Sequence, residues 1–521
     1  SPAGWLSDTF NKVNVMRKSA VAAVVLCSSI VISYHMGWFE MAFVTTFLLA
    51  AQSAIYSPAK LGYIKQMFGK ERLGEANGIV SALSIIAILS GIFVFSIFFE
   101  TLYTTSAVNE ADILQAIAPI GWILLLTSIV ELVMMYRLPE EPVDHNNPLS
   151  VASFPWKGLI TGKLFWDDLA PLRNNRSIFL SVIGLSTFWA VGQVMLAAFP
   201  AFFKAQTGID NTIALQGILA CSGVGIAIGC VIAGKLSKDH IELGLLPIGA
   251  LGIATGLFIL PGLSDAYLAA LTFLGIGVGG GIFIVPLNAL IQFQAKENEL
   301  GKTLAANNWI QNITMLTFLG ITVAFSLLDF SSKSLLQLIA VVAFIGCAYT
   351  LWQLPQSFAR LIITFLLTRH YRVSIQGIKN IPSQGGVLLL GNHVSFIDWA
   401  ILQLACPRPV RFVMIKNIYE KWYLTWFFDL FGSIPIEQGP RSRKTLEVIA
   451  TLLDKGEVVC LFPEGTVSRT GHLAEFRSGF EKSAQHTETD VPIVPFYLQG
   501  LWGSTFSRSS EKLKKAPRPT A

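Results

Sequence analysis

Charge is scarce in this chain. Only 14% of its 521 residues are Asp, Glu, Lys or Arg, and long stretches carry almost none. With 53% hydrophobic residues and a mean hydropathy of +0.57, the average of a soluble protein is excluded, and most of the chain is expected to lie in lipid. Paired cysteines are also lacking. The six cysteines, Cys27, Cys221, Cys230, Cys347, Cys406 and Cys460, stand singly, without a C-x-x-C pair or a histidine at ligand spacing, which excludes a disulfide framework and a zinc site. No metal is expected. There is no basic run with interleaved aromatics, so a nucleic-acid reader is excluded, and the net charge of +5 points to membrane topology and anionic lipid. A signal peptide and an initiating Met are missing as well: the chain opens on Ser1-Pro2-Ala3-Gly4-Trp5-Leu6-Ser7-Asp8, a polar segment already under way, and is expected to be a fragment.

A chain of this length exceeds the size at which one core keeps growing, so at least two domains are expected. About ten runs are long enough to span a bilayer, near 19–38, 40–57, 76–99, 113–136, 178–203, 212–234, 241–263, 267–292, 303–328 and 334–353. The segments between them alternate in charge. One set holds Lys12, Arg17, Lys18, Lys60, Lys65, Lys70, Arg72, Arg137, Lys157, Lys163, Arg173, Arg176, Lys235, Lys238, Lys296 and Lys302. The other holds only Lys204 and Lys333 among the acids Glu100, Glu110, Asp112, Asp210, Asp265 and Asp329. By the positive-inside rule the first set faces the cytoplasm, as does everything after Leu354. Glu131, an acid within a span near its cytoplasmic end, is read as a partner for Arg137.

The chain repeats itself. Ala3-Gly4-Trp5-Leu6-Ser7-Asp8 returns as Ala233-Gly234-Lys235-Leu236-Ser237-Lys238-Asp239, each on a basic segment. Small residues there allow close helix approach, and the carboxylate can cap a helix or pair with a cation. An ordinary turn is the plain alternative. Gly4 with Asp8, and Gly234 with Asp239, resemble the loop between the second and third helices of each half of the major facilitator superfamily. That resemblance implies an all-α polytopic fold in which ten helices are present here and two are missing at the start, the halves being joined by the segment from Pro139 to Asn175. Tyr56-Ser57-Pro58-Ala59-Lys60-Leu61-Gly62-Tyr63 and Glu71-Arg72-Leu73-Gly74-Glu75-Ala76-Asn77-Gly78 further resemble the bacterial lysophospholipid transporter group. Polar residues within the spans, Gln52, Gln193, Asn288, Gln292, Asn307, Asn308, Gln311 and Asn312, are candidates for a transport pathway or for interhelical glue.

After Pro355 the composition changes. Leu361-Ile362-Ile363-Thr364-Phe365-Leu366-Leu367, flanked by Arg360, Arg369, His370 and Arg372, is too short to span, and reads as an interfacial helix or a packed linker. Residues 1–354 are therefore assigned to the transporter, 355–372 to the linker helix and 373–521 to a second domain. There strand and helix patterns alternate: strands over 386–390, 457–462 and 491–496 and a helix over 444–455, which predicts an α/β domain.

Two motifs on that framework carry chemistry. In Asn392-His393-Val394-Ser395-Phe396-Ile397-Asp398, a helix starting near Ser395 brings the Asp398 carboxylate back to the His393 imidazole, leaving its other nitrogen for substrate. A neutral histidine held in one tautomer by a carboxylate suits removal of a proton from a hydroxyl that attacks a thioester, with no Ser or Cys nucleophile. Ser395 to Asp398 also fits a helix capping box. About seventy residues on, Phe462-Pro463-Glu464-Gly465-Thr466 and Arg469 place a turn, a carboxylate and a cation at a strand end, where Glu464 can hold acceptor hydroxyls and Arg469 a phosphate.

Together with Val491-Pro492-Ile493-Val494-Pro495-Phe496, these motifs resemble three of the four signature blocks of the 1-acylglycerol-3-phosphate acyltransferase (PlsC-type) family, over roughly Thr364 to Gly503. The resemblance implies His393 and Asp398 as the catalytic pair, Glu464, Gly465, Thr466 and Arg469 as substrate-binding residues, and an acyl-ACP or acyl-CoA co-substrate with no tightly bound cofactor. The remaining block falls at Gly432-Ser433-Ile434-Pro435-Ile436-Glu437, where many members continue with an Arg that meets acceptor phosphate. Gln438 stands there, and Arg441, Arg443 and Lys444 follow to supply charge, a departure that favours a lysophospholipid with a larger head group. The closing strands of the domain are expected beyond the C-terminus. Transporter and acyltransferase in this order resemble bacterial 2-acylglycerophosphoethanolamine acyltransferase fusion proteins of the inner membrane. The implied function is inward flipping of lysophospholipid and its reacylation on the cytoplasmic leaflet. Alternatives are a membrane-anchored lysophosphatidic acid acyltransferase, and a transporter with an inactive regulatory cap.

Overall fold

The computed structural model describes residues 1–102, 109–139, 157–158, 161–208, 212–237, 240–382, 384–437 and 442–510. It divides into two compact units, Ser1–Thr350 and Leu351–Ala521. The first is helical: α1 (Pro2–Thr9), α2 (Lys12–Met36), α3 (Phe39–Phe68), α4 (Leu73–Leu102), α5 (Glu110–Ala116), α6 (Ala118–Arg137), α7 (Lys163–Asn174), α8 (Arg176–Thr207), α9 (Thr212–Leu236), α10 (Leu245–Ile259), α11 (Ala266–Gln294), α12 (Leu300–Leu327) and α13 (Ser332–Gln353). Among the described residues ten helices are long and apolar enough to cross a membrane, as the apolar runs predict.

Several helices outrun their hydrophobic segments. Expected loop residues Lys60 and Lys65 belong to α3, because a long lysine stem lets the ammonium find an acceptor beyond the apolar layer while the backbone stays helical. Lys65 Nζ donates to Ala295 O at 2.8 Å. Helices α9 and α11 touch backbone to backbone: a Cβ on Gly225 would lie 2.2 Å from Leu274 O, and one on Gly277 would lie 2.0 Å from Ser222 O. Bilayer lipid offers no hydrophobic drive for helix association, so such small-residue contacts supply the packing. Glu131 and Arg137 form no ion pair among the described residues. Arg17 of α2 instead caps the end of α6, donating to Met135 O and Leu138 O, each at 3.2 Å.

The second unit contains α14 (Pro355–His370), β1 (Val387–Gly391), α15 (Asp398–Ala405), β2 (Val410–Ile415), α16 (Lys416–Tyr419), α17 (Thr425–Leu430), β3 (Ile434–Ile436), α18 (Ser442–Asp454), β4 (Val458–Leu461), α19 (Gly479–Gln485) and β5 (Ile493–Phe496). The five strands form one parallel sheet in the order β3-β2-β4-β1-β5. Alternate residues of β1 serve opposite faces. Val387 and Leu389 pack with Leu402 of α15, while Leu388 and Leu390 pack with Leu446, Ile449 and Leu453 of α18. Coverage on both faces is why the strand reads as an unbroken apolar run, and each fully buried Leu contributes about 1.5–3 kcal/mol. Strands β2 and β3 were not predicted: β2 follows Pro407 and Pro409 with Arg411 inside it, and β3 is three residues long with a proline at its centre.

Candidate functional site: a histidine–aspartate pair at the strand ends

Parallel strands put all their C-terminal ends on one edge, where α/β sheets bind ligands. Adjacent β1 and β4, paired through Leu390 and Leu461, deliver His393 and Glu464 to that edge. His393 Nδ1 lies 2.8 Å from Asp398 Oδ2, and the same oxygen accepts the backbone N–H groups of Val394 at 2.7 Å and Ser395 at 2.9 Å. The helix starts at Asp398 and not near Ser395, because residues 395–397 are used in the turn that folds the carboxylate back. The capping box over Ser395 to Asp398 is not formed, because the helix N-cap is Ile397, whose side chain makes no capping hydrogen bond. Asp398 is fully buried, whereas the His393 side chain is 22% exposed. A carboxylate can only accept, so Nδ1 carries the proton in the neutral ring and Nε2 presents its lone pair outward. The imidazole stacks on Phe462 at 4.3 Å between centroids.

Glu464 differs from expectation. It is buried at 5% exposure, with Oε1 accepting His393 N–H at 2.8 Å and Oε2 accepting Ala474 N–H at 3.0 Å. Backbone donors use both oxygens, so it positions the histidine loop instead of reaching for acceptor hydroxyls. Ser468 N–H donates to His393 O at 2.7 Å, tying the two turns together from the other side. Gly465 takes φ of 71°, and the Arg477 guanidinium lies over it, 3.1 Å from where a Cβ would stand. Thr466 and Arg469 are exposed beside this turn. Arg443 and Lys444 project from α18 into solvent, with Arg443 paired to Glu447 at 3.4 Å; Arg441 lies outside the described residues, as does Gln438. At the ends of β2 and β3, Lys416 pairs with Glu437 at 2.6 Å.

Sequence reasoning missed two supports. Asn392 clamps β5, donating to Leu498 O at 2.9 Å and accepting Leu498 N–H at 2.7 Å. The segment after Gly503 folds onto the histidine loop: Phe396 N–H donates to Phe506 O at 3.0 Å, Ser395 bridges Ser507, and Arg508 lies 5.6 Å from the Phe396 ring centre. Its serine-rich sequence has no apolar periodicity to announce it.

In the helical unit, the repeated motif meets a repeated receptor. Asp8 Oδ1 accepts Gly301 N–H at 2.6 Å and Oδ2 accepts Lys302 N–H at 3.0 Å, at the N-terminus of α12, where orphan donors and the helix dipole favour a carboxylate. Burial nevertheless pushes Asp8 up to about 6, against the pull of those bonds and of Lys12 and Lys302. Gly4 is needed because a Cβ would stand 2.9 Å from Gly301 O. In the second copy, Gly234 faces Gly78 of α4, where a Cβ on Gly78 would lie 2.6 Å from Gly234 Cα; Asp239 lies outside the described residues. Leu73-Gly74 and Leu300-Gly301 are the matching receptors: Ser237 abuts Gly74 as Ser7 abuts Gly301.

The polar span residues do not form one cluster. Gln52 Nε2 donates to Ser19 O at 2.8 Å, Asn308 meets Ser57 at 3.5 Å, Asn312 Nδ2 donates to Asn308 O at 2.8 Å, and Gln311 Nε2 donates to Asn307 Oδ1 at 2.9 Å. Gln292 is fully buried and exchanges hydrogen bonds of 3.1 and 2.9 Å with Asn77. Gln193 is exposed and Asn288 half-buried. Gln52, Asn308 and Gln292 thus bond across helices, whereas Asn307, Gln311 and Asn312 bond within α12.

Residues 1–318 match the Major Facilitator Superfamily, and the chain belongs to it; residues 372–499 match the Acyltransferase family, and the second unit is an acyltransferase domain. The chain is similar to a "Lysophospholipid transporter LplT" of Serratia proteamaculans, 28% identical over 61% of this chain and 73% of that one, and to its namesake in Yersinia enterocolitica, 27% identical over 61% and 72%. The crystal structure of the E. coli fucose:proton symporter shares the fold, with a TM-score of 0.54 at 11% identity, covering 67% of this chain and 86% of that one.

Proposed function

We propose that the helical unit moves lysophospholipid inward across the cytoplasmic membrane of a bacterium and that the second unit, on the cytoplasmic side, reacylates it. The observation that carries the catalytic half is the His393–Asp398 pair with Nε2 facing outward at the sheet edge. Similarity to lysophospholipid transporters and the charge alternation along the chain support the transport half.

In the reaction, His393 Nε2 takes the proton of the lysolipid hydroxyl as its oxygen attacks the carbonyl carbon of an acyl thioester, carried by acyl carrier protein or coenzyme A. The tetrahedral intermediate collapses with cleavage of the C–S bond, and the imidazolium returns the proton to the departing thiolate. Asp398 stabilises the transient imidazolium and fixes the tautomer. Reacylation removes the flipped lipid and draws transport forward by mass action.

Acyl transfer by the whole protein tests this, comparing lysophosphatidylethanolamine with lysophosphatidic acid. Turnover of the former that falls roughly 10²–10⁴-fold in His393→Ala is expected. Use of lysophosphatidic acid alone would replace salvage with de novo synthesis, and an unaffected mutant would sink the histidine assignment.

A further inference from the structure

The acyltransferase unit carries an exposed aromatic segment that the chemistry above does not use. Between β2 and β3, Trp422 is 87% exposed, Trp426 66% and Tyr423 50%, with Ile418 beside them. The segment is held in place. Phe427 packs 5.4 Å from Trp399 of α15, and Trp426 Nε1–H donates to Tyr423 O at 3.0 Å. That indole therefore has its one donor satisfied and can enter an apolar layer without losing a water partner. The acids of the segment are also engaged, Glu420 with Lys416 at 3.6 Å and Asp429 with the Tyr419 hydroxyl, while Lys421 is exposed beside Trp422.

A second exposed stripe is anchored on the same helix. On α14, Ile362, Phe365 and Leu366 stand outward at i, i+3 and i+4, with Arg369 one turn on, while Leu367 packs inward with Ile401 of α15. Helix α14 begins two residues after α13, a helix long and apolar enough to cross a membrane, so the chain itself brings lipid within reach. Exposed Trp and Tyr with a flanking cation is the composition of a membrane–water interface.

We propose that the segment from Ile418 to Trp426 is a membrane-contact surface of the acyltransferase unit, its indoles seated at the head-group level of the bilayer and acting with the α14 stripe to hold the site at the lipid surface from which its acceptor comes. The acceptor part of this statement rests on the acyltransferase reading; the contact itself does not.

The test uses the full chain in vesicles of phosphatidylethanolamine and phosphatidylglycerol, with and without bromine on the acyl chains. The emission difference between wild type and Trp422→Phe/Trp426→Phe isolates the two indoles. That difference should be quenched by brominated lipid and shielded from aqueous iodide. Quenching by iodide alone overturns the proposal, and so does shielding from both quenchers, which would mean that a second copy or another protein surface covers the patch. A kinetic arm uses Trp422→Ser/Trp426→Ser, expected to lower transfer to vesicle-resident lysolipid about tenfold and to a short-chain, water-soluble lysolipid less than about twofold. Equal losses on both acceptors overturn the positioning role. A wild type inactive on both counts against the acyltransferase reading, and the quenching result then decides the surface by itself.

Discussion

Glu464 and His393 are joined through the backbone: the carboxylate accepts the histidine's own N–H at 2.8 Å while its second oxygen holds Ala474 at 3.0 Å. The residue that looked like a substrate ligand thereby fixes the position of the histidine from the neighbouring strand. Glu464→Gln keeps the shape but replaces one acceptor with a donor, leaving a buried N–H unpaired at a cost of about 1–3 kcal/mol. Loss of stability by denaturant unfolding of that size is expected, with kcat reduced and acceptor KM nearly unchanged. A selective rise in KM would restore the hydroxyl-binding role.

Asp8 gives the helical unit a pH dependence. Its pKa is raised from 3.8 to about 6 by burial, so the α1–α12 contact binds a proton more tightly than the separated chain does. The stabilisation is fully present below about pH 3.8 and is lost as pH rises through about 6, an effect of up to roughly 3 kcal/mol. Thermal unfolding in detergent should show wild type gaining stability between pH 7 and pH 5, and Asp8→Asn lacking that increment. Parallel curves for the two proteins would remove Asp8 as the source.

Gly78 allows α4 to meet α9 at Gly234, where a Cβ would fall 2.6 Å from backbone. Gly78→Val must push the helices apart, since backbone cannot swing aside as a side chain can. Lysolipid uptake into vesicles should fall at least about tenfold, while acyl transfer to a lysolipid supplied directly to the acyltransferase side persists. Joint loss of both activities would show that the two units do not function separately.

Much of this protein was legible in its sequence because lipid imposes its rules locally. Apolar runs of membrane length and the alternation of Lys and Arg along the chain give about ten spans without reference to packing, and ten such helices are present among the described residues. The His393–Asp398 pair was legible for a similar reason: five residues and one turn suffice to close it. The unbroken apolar strands β1 and β4 likewise stand out, being buried on both faces.

What the tertiary structure decided are the relationships between segments distant in the chain. That Glu464 serves His393 depends on β4 lying beside β1, and that Asp8 caps α12 depends on contact across 293 residues. The return of Ser507 to Ser395 and the Asn392 clamp on Leu498 leave no periodic trace, because single hydrogen bonds between irregular segments impose no pattern on the residues around them. The sequence by itself determined which chemistry and which medium this chain carries, since those follow from residue type and local spacing. Only the fold determined which polar groups are consumed in holding it together and which, like His393 Nε2, are left to act.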